Sequence, residues 1–490
     1  MALDISTNVK SASVTPLQHS YIGGEWTEGG QGTQAVLNPA DGSVLAEVSI
    51  ATIDQCMSAV EAAANSQQQW AERAPRERSE ILMRAFELMQ RDEEALARLI
   101  TLENGKALAD ARGEAKYAAE FFRWFAEECV RTKGDMRRSP SGQNWIMVSH
   151  EPIGVALLIT PWNFPAAMAT RKIAPALAAG CSVILKPATE TPLAALFVAR
   201  LLEEAGVPPG VVNVVVATPA GPAVNAMLSD HRVRAVSFTG STEVGKTLLQ
   251  ETAKNVAKPS MELGGNAPFV VLDDADLDAA VEGFMLAKFR NGGSACTAAN
   301  RIFVQTGIAD RFIGAIASRI DALQVDDGLL EGTQIGPMVS QSERDRVAAL
   351  VERAIGEGAS LVCGGTTPNR EGFYYSPTLL DGVKPDSEIA QTEIFGPVAV
   401  IIRFDDVDDG IDLANATDAG LISYLFTQGI ESGLSLSRRL QSGMVGLNRG
   451  LASDPAAPFG GTKQSGLGRE GSSEGMLEFM ETKYIATPYV

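Results

Sequence analysis

From residue 153 onward, short apolar runs alternate with helical stretches, and no other feature restricts the possible folds as much. Residues 155–160 read as a buried strand, 166–179 as a helix, 182–186 as a strand, 192–205 as a helix and 211–216 as a strand. Residues 235–239, 243–254 and 269–272 extend the series as strand, helix and strand. Strands separated by helices of about ten to fifteen residues pair in parallel, because right-handed crossovers return each strand beside its neighbours. Such a sheet takes ligands in the crevice beyond the carboxyl ends of its strands. A second α/β pattern opens near residue 275, with helix 277–289, strand 301–304 and helices 310–323 and 342–356. The expected fold class is α/β.

At 490 residues the chain exceeds one core and is expected to divide into two or three domains. Its 60 acidic and 41 basic residues give a net charge of −19. That balance argues against nucleic acid or an anionic membrane surface as a partner, and an anionic substrate would need locally placed arginines. Five scattered cysteines (Cys56, Cys129, Cys181, Cys296, Cys363) do not suggest a disulfide framework. The first residues lack a basic and then apolar leader, and the apolar runs are too short to span a bilayer, so the reading is a cytoplasmic protein. Residues 1–50 read as irregular structure and short strands, and 52–128 as helical, with clear periodicity over 56–70 and 76–104. Residues 130–150 read as an exposed hairpin and 483–490 as a strand. Such exposed edges need covering, which suggests pairing with another subunit.

The chemistry concentrates in a few loops. Cys296 lies in Gly292-Gly-Ser-Ala-Cys-Thr-Ala-Ala299, where small neighbours leave room for a substrate carbon beside the sulfur. Glu262 lies in Met261-Glu-Leu-Gly-Gly265. A thiol nucleophile with a carboxylate able to activate water fits this pair. The three histidines (His19, His150, His231) are remote in sequence, so a cysteine–histidine hydrolase is poorly supported. Gly240-Ser-Thr-Glu-Val-Gly245 follows a strand and opens a helix, as a pyrophosphate-binding turn does, but a plain glycine turn reads equally well. Lys186 ends a neighbouring strand, where it reaches a ribose or simply solvent. Asn163, in the stiff turn Thr160-Pro-Trp-Asn-Phe-Pro165, either donates its amide to an oxyanion or satisfies the turn.

Taken together, and in this order, these segments resemble the aldehyde dehydrogenase superfamily from about Tyr21 to Lys483. The resemblance implies a Rossmann-type cofactor domain (1–129 and 153–264), an α/β catalytic domain (265–464) and a small bridging sheet (130–152 and 480–490). It also implies a homodimer or homotetramer. By resemblance, Cys296 is the nucleophile, Glu262 the general base, Asn163 with the Cys296 amide the oxyanion hole, and Lys172 with Glu470 a proton path. Thr160, Trp162, Lys186, Thr189, Gly240, Ser241, Glu393 and Phe395 match cofactor contacts. The cofactor expected is NADP or NAD, and no metal site is expected.

Within the superfamily the finer resemblance is to the succinate-semialdehyde dehydrogenase group. It rests on Thr160-Pro-Trp-Asn-Phe-Pro-Ala-Ala-Met-Ala-Thr-Arg-Lys172 and on Phe289-Arg-Asn291 before the cysteine. Arg171 and Arg290 match arginines that grip a distal carboxylate, and Ser453 matches a hydroxyl there; bidentate arginine suits a carboxylate. Glutarate semialdehyde and 2-oxoglutarate semialdehyde share that group and stay as alternatives, as does a broader aldehyde range. Three departures bear on the pocket. Gly293-Ser294-Ala295 precedes the cysteine where many relatives have Gly-Gln, Ala298 replaces a second cysteine, and Arg449 adds a cation. Many NAD-preferring relatives have a glutamate where this chain has Thr189. The smaller neutral residue removes a repulsion from a 2′-phosphate, so NADP is expected to be used.

Overall fold

A computed structural model describes residues 18–489; the expectations for residues 1–17 and Val490 lie outside it. Five strands form the parallel heart of the first sheet. Their spatial order is Val212–Val214, Ser182–Lys186, Val155–Ile159, Val233–Thr239 and Lys258–Glu262. The first strand in the chain is central, and the connections run outward from it in opposite directions. The order therefore reverses between Val155–Ile159 and Val233–Thr239, which opens a crevice beyond their carboxyl ends. Every residue of Val155–Ile159 and Ser182–Lys186 is buried, because helices cover both faces. Pro165–Ala179 is buried along its whole length, starts with proline at its first position and stops at Gly180 in the left-handed region. Ser20–Ile22 and Glu25–Thr27 extend one edge of the sheet, and Gly466–Leu467 pairs antiparallel on the other, opposite Met261 and Glu262.

The second sheet runs Ser360–Cys363, Thr378–Asp381, Val398–Phe404, Ala299–Gln305, Ala267–Val271, Ile422–Phe426 and Met444–Leu447. All its pairings are parallel except the first. Helix Leu277–Phe289 packs under it and runs into the tight turn Arg290–Gly293. Asn291 and Gly292 there take positive φ values of 57° and 58°. A side chain at Gly293 would collide with the Gly396 carbonyl at 2.2 Å, so the turn needs glycine. It delivers Cys296 just before strand Ala299–Gln305.

A third, three-stranded antiparallel sheet joins Met480–Pro488, Asn144–Pro152 and Asp135–Arg138. The hairpin and C-terminal strand read from the sequence thus pair with each other, and Met136, Tyr484 and Ile485 are exposed on them. Elsewhere the structure refines the sequence reading. The 76–104 stretch is two helices, Pro75–Arg91 and Glu93–Asn104, broken at Asp92. Helix Ala220–Ser229 and strand Lys258–Glu262 are additions. The strand has no apolar run, and only pairing with Val233–Thr239 makes it one. All five cysteines are free, and among the described residues no helix is long and apolar enough to cross a membrane.

Candidate active site

A cleft of about 810 Å³ lies at the crevice of the first sheet and reaches the second. Trp162, Asn163, Cys296, Gly240, Ser241 and Glu393 line it together with Phe395. Seven residues singled out from four separate loops therefore meet in one space. Cys296 is half-buried. Burial first, then the carboxylates of Glu393, Glu262 and Glu470, pushes its thiol up to about 12, while Arg171 pulls it down. The sulfur thus keeps its proton at neutral pH in the resting protein.

Asn163 is locked from two sides. Its Nδ2 donates to the Ser294 carbonyl at 3.1 Å, while its Oδ1 is buried without a partner. Its backbone carbonyl accepts from Lys106 Nζ at 2.6 Å and from Asn291 Nδ2 at 3.1 Å. Lys106 also donates to Glu114 at 2.5 Å, and this pair is fully buried. The other oxygen of Glu114 accepts from the Ala166 and Ala167 amides at the start of Pro165–Ala179, a favourable place for an anion. Asn104 holds the next carbonyl, that of Trp162, at 2.9 Å. Sequence reasoning passed over Asn104, Lys106 and Glu114. These polar side chains lie in a helical region whose pattern suggests a solvated face, and only tertiary packing buries them.

Behind the cleft sits a buried charge cluster. Lys172 Nζ donates to Glu470 at 2.6 Å and to Ser237 Oγ at 2.9 Å. Arg171 Nε lies 2.8 Å from the other Glu470 oxygen but is not aligned for a hydrogen bond, so Nε and Nη2 stay unpartnered. The Arg171 guanidinium stacks on Phe459 at 4.2 Å and Phe121 at 5.3 Å. Burial works against its charge, but Glu470, Tyr117, Glu262 and Cys296 together hold its pKa above the ordinary value. Both oxygens of Glu262 are buried without partners. Burial and then Glu470 hold the Glu262 carboxyl well above the usual range, whereas Lys172 and Arg171 overcome burial and hold Glu470 below it. The two carboxyls are therefore pushed in opposite directions, the divergence that marks acid–base sites.

The opposite wall fits a dinucleotide. Thr239 Oγ1 is buried without a partner at the head of the cleft, and a side chain at Gly240 would strike the Phe238 ring at 2.4 Å. Ser241 caps helix Thr242–Ala253, whose amino end faces the cleft. Glu393 accepts from the Gly265 amide at 3.0 Å, and burial pushes its carboxyl up to about 7. Phe395 meets Trp162 edge-on at 5.2 Å. Thr160 and Lys186 are buried at the ends of adjacent strands. Thr189 lines a separate cleft of about 820 Å³ with Ser340, Ser342 and Gln34. Arg290 lies over Phe164 at 5.2 Å. Ser453 is half-buried and Arg449 exposed, and neither lines the Cys296 cleft. Lys288, fully buried with an unpartnered amine, escaped the sequence reading as well.

A parallel sheet with a cysteine in its switch-point cleft and an adjoining dinucleotide-shaped wall describes a nucleotide-dependent oxidoreductase that uses a thiol nucleophile. The chain belongs to the aldehyde dehydrogenase family, whose model matches residues 26–485. It is 50% identical over 448 residues to a succinate-semialdehyde dehydrogenase of Paenarthrobacter nicotinovorans, spanning 91% of this chain and 100% of that one. It is 45% identical to the Escherichia coli succinate-semialdehyde dehydrogenase [NADP(+)], over 96% of this chain and 97% of that one. The crystal structure of a succinate-semialdehyde dehydrogenase from Burkholderia pseudomallei superposes with a TM-score of 0.96 at 43% identity, covering 98% of this chain and 100% of that one.

Proposed function

We propose that the protein oxidises succinate semialdehyde, or a close carboxylate-bearing aldehyde such as glutarate semialdehyde, to the corresponding acid with NADP or NAD. One observation carries the substrate reading. Arg171 is buried between two aromatic rings, within electrostatic range of Cys296, and although Glu470 faces its Nε at 2.8 Å its Nη2 has no partner. Such donors suit a carboxylate, and the named relatives support the assignment.

In this reading Cys296 first gives up its thiol proton to solvent in the open cleft, and the thiolate Sγ then adds to the aldehyde carbon. Asn163 spends one N–H of its amide on Ser294, and the other joins the Cys296 amide on the developing oxyanion. A bound nicotinamide dinucleotide supplies the hydride acceptor, and a thioester remains on Cys296. Glu262, once ionised, takes a proton from the water that hydrolyses it, with Lys172 and Glu470 behind it as a proton path. Lys186, Thr160, Gly240, Ser241, Trp162, Glu393 and Phe395 hold the dinucleotide, and Thr189 leaves space for a 2′-phosphate. Arg290 assists Arg171, and Ser453 and Arg449 stand as substrate contacts on the family resemblance alone.

We assign 1–129 and 153–264 to the cofactor domain, 265–464 to the catalytic domain, and the third sheet to contacts in a cytoplasmic homodimer or homotetramer. The test is NADPH and NADH formation with succinate semialdehyde, glutarate semialdehyde, hexanal and benzaldehyde, for the native protein and Arg290→Ala. The semialdehydes should win on kcat/KM and lose that lead in the variant. A neutral aldehyde winning in the native protein would overturn the substrate reading.

A further inference from the structure

We propose that Tyr117 determines specificity by donating its hydroxyl to the substrate's distal carboxylate, beside Arg171 and Arg290. This rests on the carboxylate-aldehyde reading above and adds a third donor to it. Tyr117 lies on helix Leu108–Glu128, on the face that packs along Pro165–Ala179. Two contacts fix the alignment of these helices. Glu114 bonds to the amides of Ala166 and Ala167, and Phe121 lies under the guanidinium of Arg171. Tyr117 falls between Glu114 and Phe121, on the same face by helical spacing. It is therefore level with the middle of the 167–171 segment. Met168, in that segment, lines the Cys296 cleft and also touches Arg171, its sulfur 3.9 Å from Nη1. The Tyr117 ring meets Phe121 edge-on at 4.9 Å.

The hydroxyl itself is buried and has no hydrogen-bond partner. Arg171, Arg290 and Cys296 all lie within electrostatic range of it. A phenylalanine would pack against Phe121 equally well, so the oxygen adds nothing to the fold and costs its desolvation. Arg171 Nη2 is likewise without a partner, while Glu470 faces Nε. Unpartnered donors gathered beside a nucleophile, on otherwise aromatic walls, describe a site completed by an anion. The two arginines supply charge, and the phenol supplies direction, since its single O–H is met only by an acceptor lying along it.

The test is steady-state kinetics of the full-length Tyr117→Phe protein with succinate semialdehyde and with butanal, alongside thermal melts of both proteins. KM for succinate semialdehyde should rise about ten- to hundredfold, the range of one hydrogen bond to a charged group. Its kcat and the kcat/KM for butanal should hardly change. The melting temperature should stay level or rise, because an unsatisfied buried group has been removed; a merely structural hydroxyl would lower it. If the native protein favours succinate semialdehyde and Tyr117→Phe keeps that preference, or loses both substrates equally, the Tyr117 assignment falls alone. If the native protein shows no preference over butanal, the carboxylate reading falls and takes this one with it.

Discussion

Replacing Glu470 by glutamine tests the buried cluster through two independent readouts. The carboxylate faces Lys172 at 2.6 Å and Arg171 at 2.8 Å, and all three side chains are buried. Removing one member of such a group leaves uncompensated buried charge, which costs about 3–5 kcal/mol. Glutamine keeps the shape and one acceptor for Lys172, which places the loss near 3 kcal/mol, or roughly 3–6 °C in Tm for a chain larger than the usual reference domains. The second readout has a definite sign. Glu470 is a negative charge that raises the pKa of Glu262, while Arg171 and Lys172 lower it. Glu470→Gln removes the former and leaves the latter uncompensated, so Glu262 ionises at lower pH. In the proposed mechanism Glu262 works as a carboxylate, so the alkaline-rising limb of kcat must move toward acid under conditions where thioester hydrolysis limits turnover. The assay is kcat against pH for both proteins, with melting curves in the same buffers. A limb that stays fixed or moves toward alkali, in a variant that does lose Tm, would refute the coupling between the two carboxyls.

The Cys296 thiol, held near 12 in the resting protein, predicts that iodoacetamide inactivation accelerates steadily from pH 7 to 10. A plateau near neutrality would contradict this. Lys106→Met removes the ammonium that anchors the Asn163 carbonyl. It should lower kcat by about 10- to 100-fold, part of what deleting an oxyanion donor costs, with KM within a few-fold; a change confined to KM would count against the anchoring role. Thr189→Glu places a carboxylate beside the proposed 2′-phosphate position. Initial rates should show a rise in KM for NADP of at least about tenfold, one like-charge contact, with NAD little affected; equal effects on both would remove Thr189 from cofactor choice.

Much of the frame was legible because buried parallel strands leave a plain trace. The 182–186 and 155–160 runs are almost wholly apolar and are followed by helices with glycine or proline at their ends, so their sheet followed from periodicity. Cys296 and Glu262 stood out by their small neighbours. Lys258–Glu262 was not legible, since Lys-Pro-Ser-Met-Glu carries no strand pattern and becomes a strand through its register with Val233–Thr239. The role of Glu114 was equally hidden. A glutamate on an amphipathic helix reads as solvated until the amides of Ala166 and Ala167 are found against it.

The sequence by itself determined the alternation that makes two α/β sheets, the residue types able to do thiol chemistry, and an acidic balance that argues against polyanionic partners. Those properties are local or additive, so they survive without coordinates. Tertiary structure alone decided which charges are buried and which donors are left open. Glu262 and Glu470 are both glutamates beside glycines in the sequence, yet their carboxyls are pushed in opposite directions because Lys172 and Arg171 face only the second closely. The pKa of a carboxyl and the need of a hydroxyl for a partner depend on the few ångströms around them, and residues far apart in the chain fill that space.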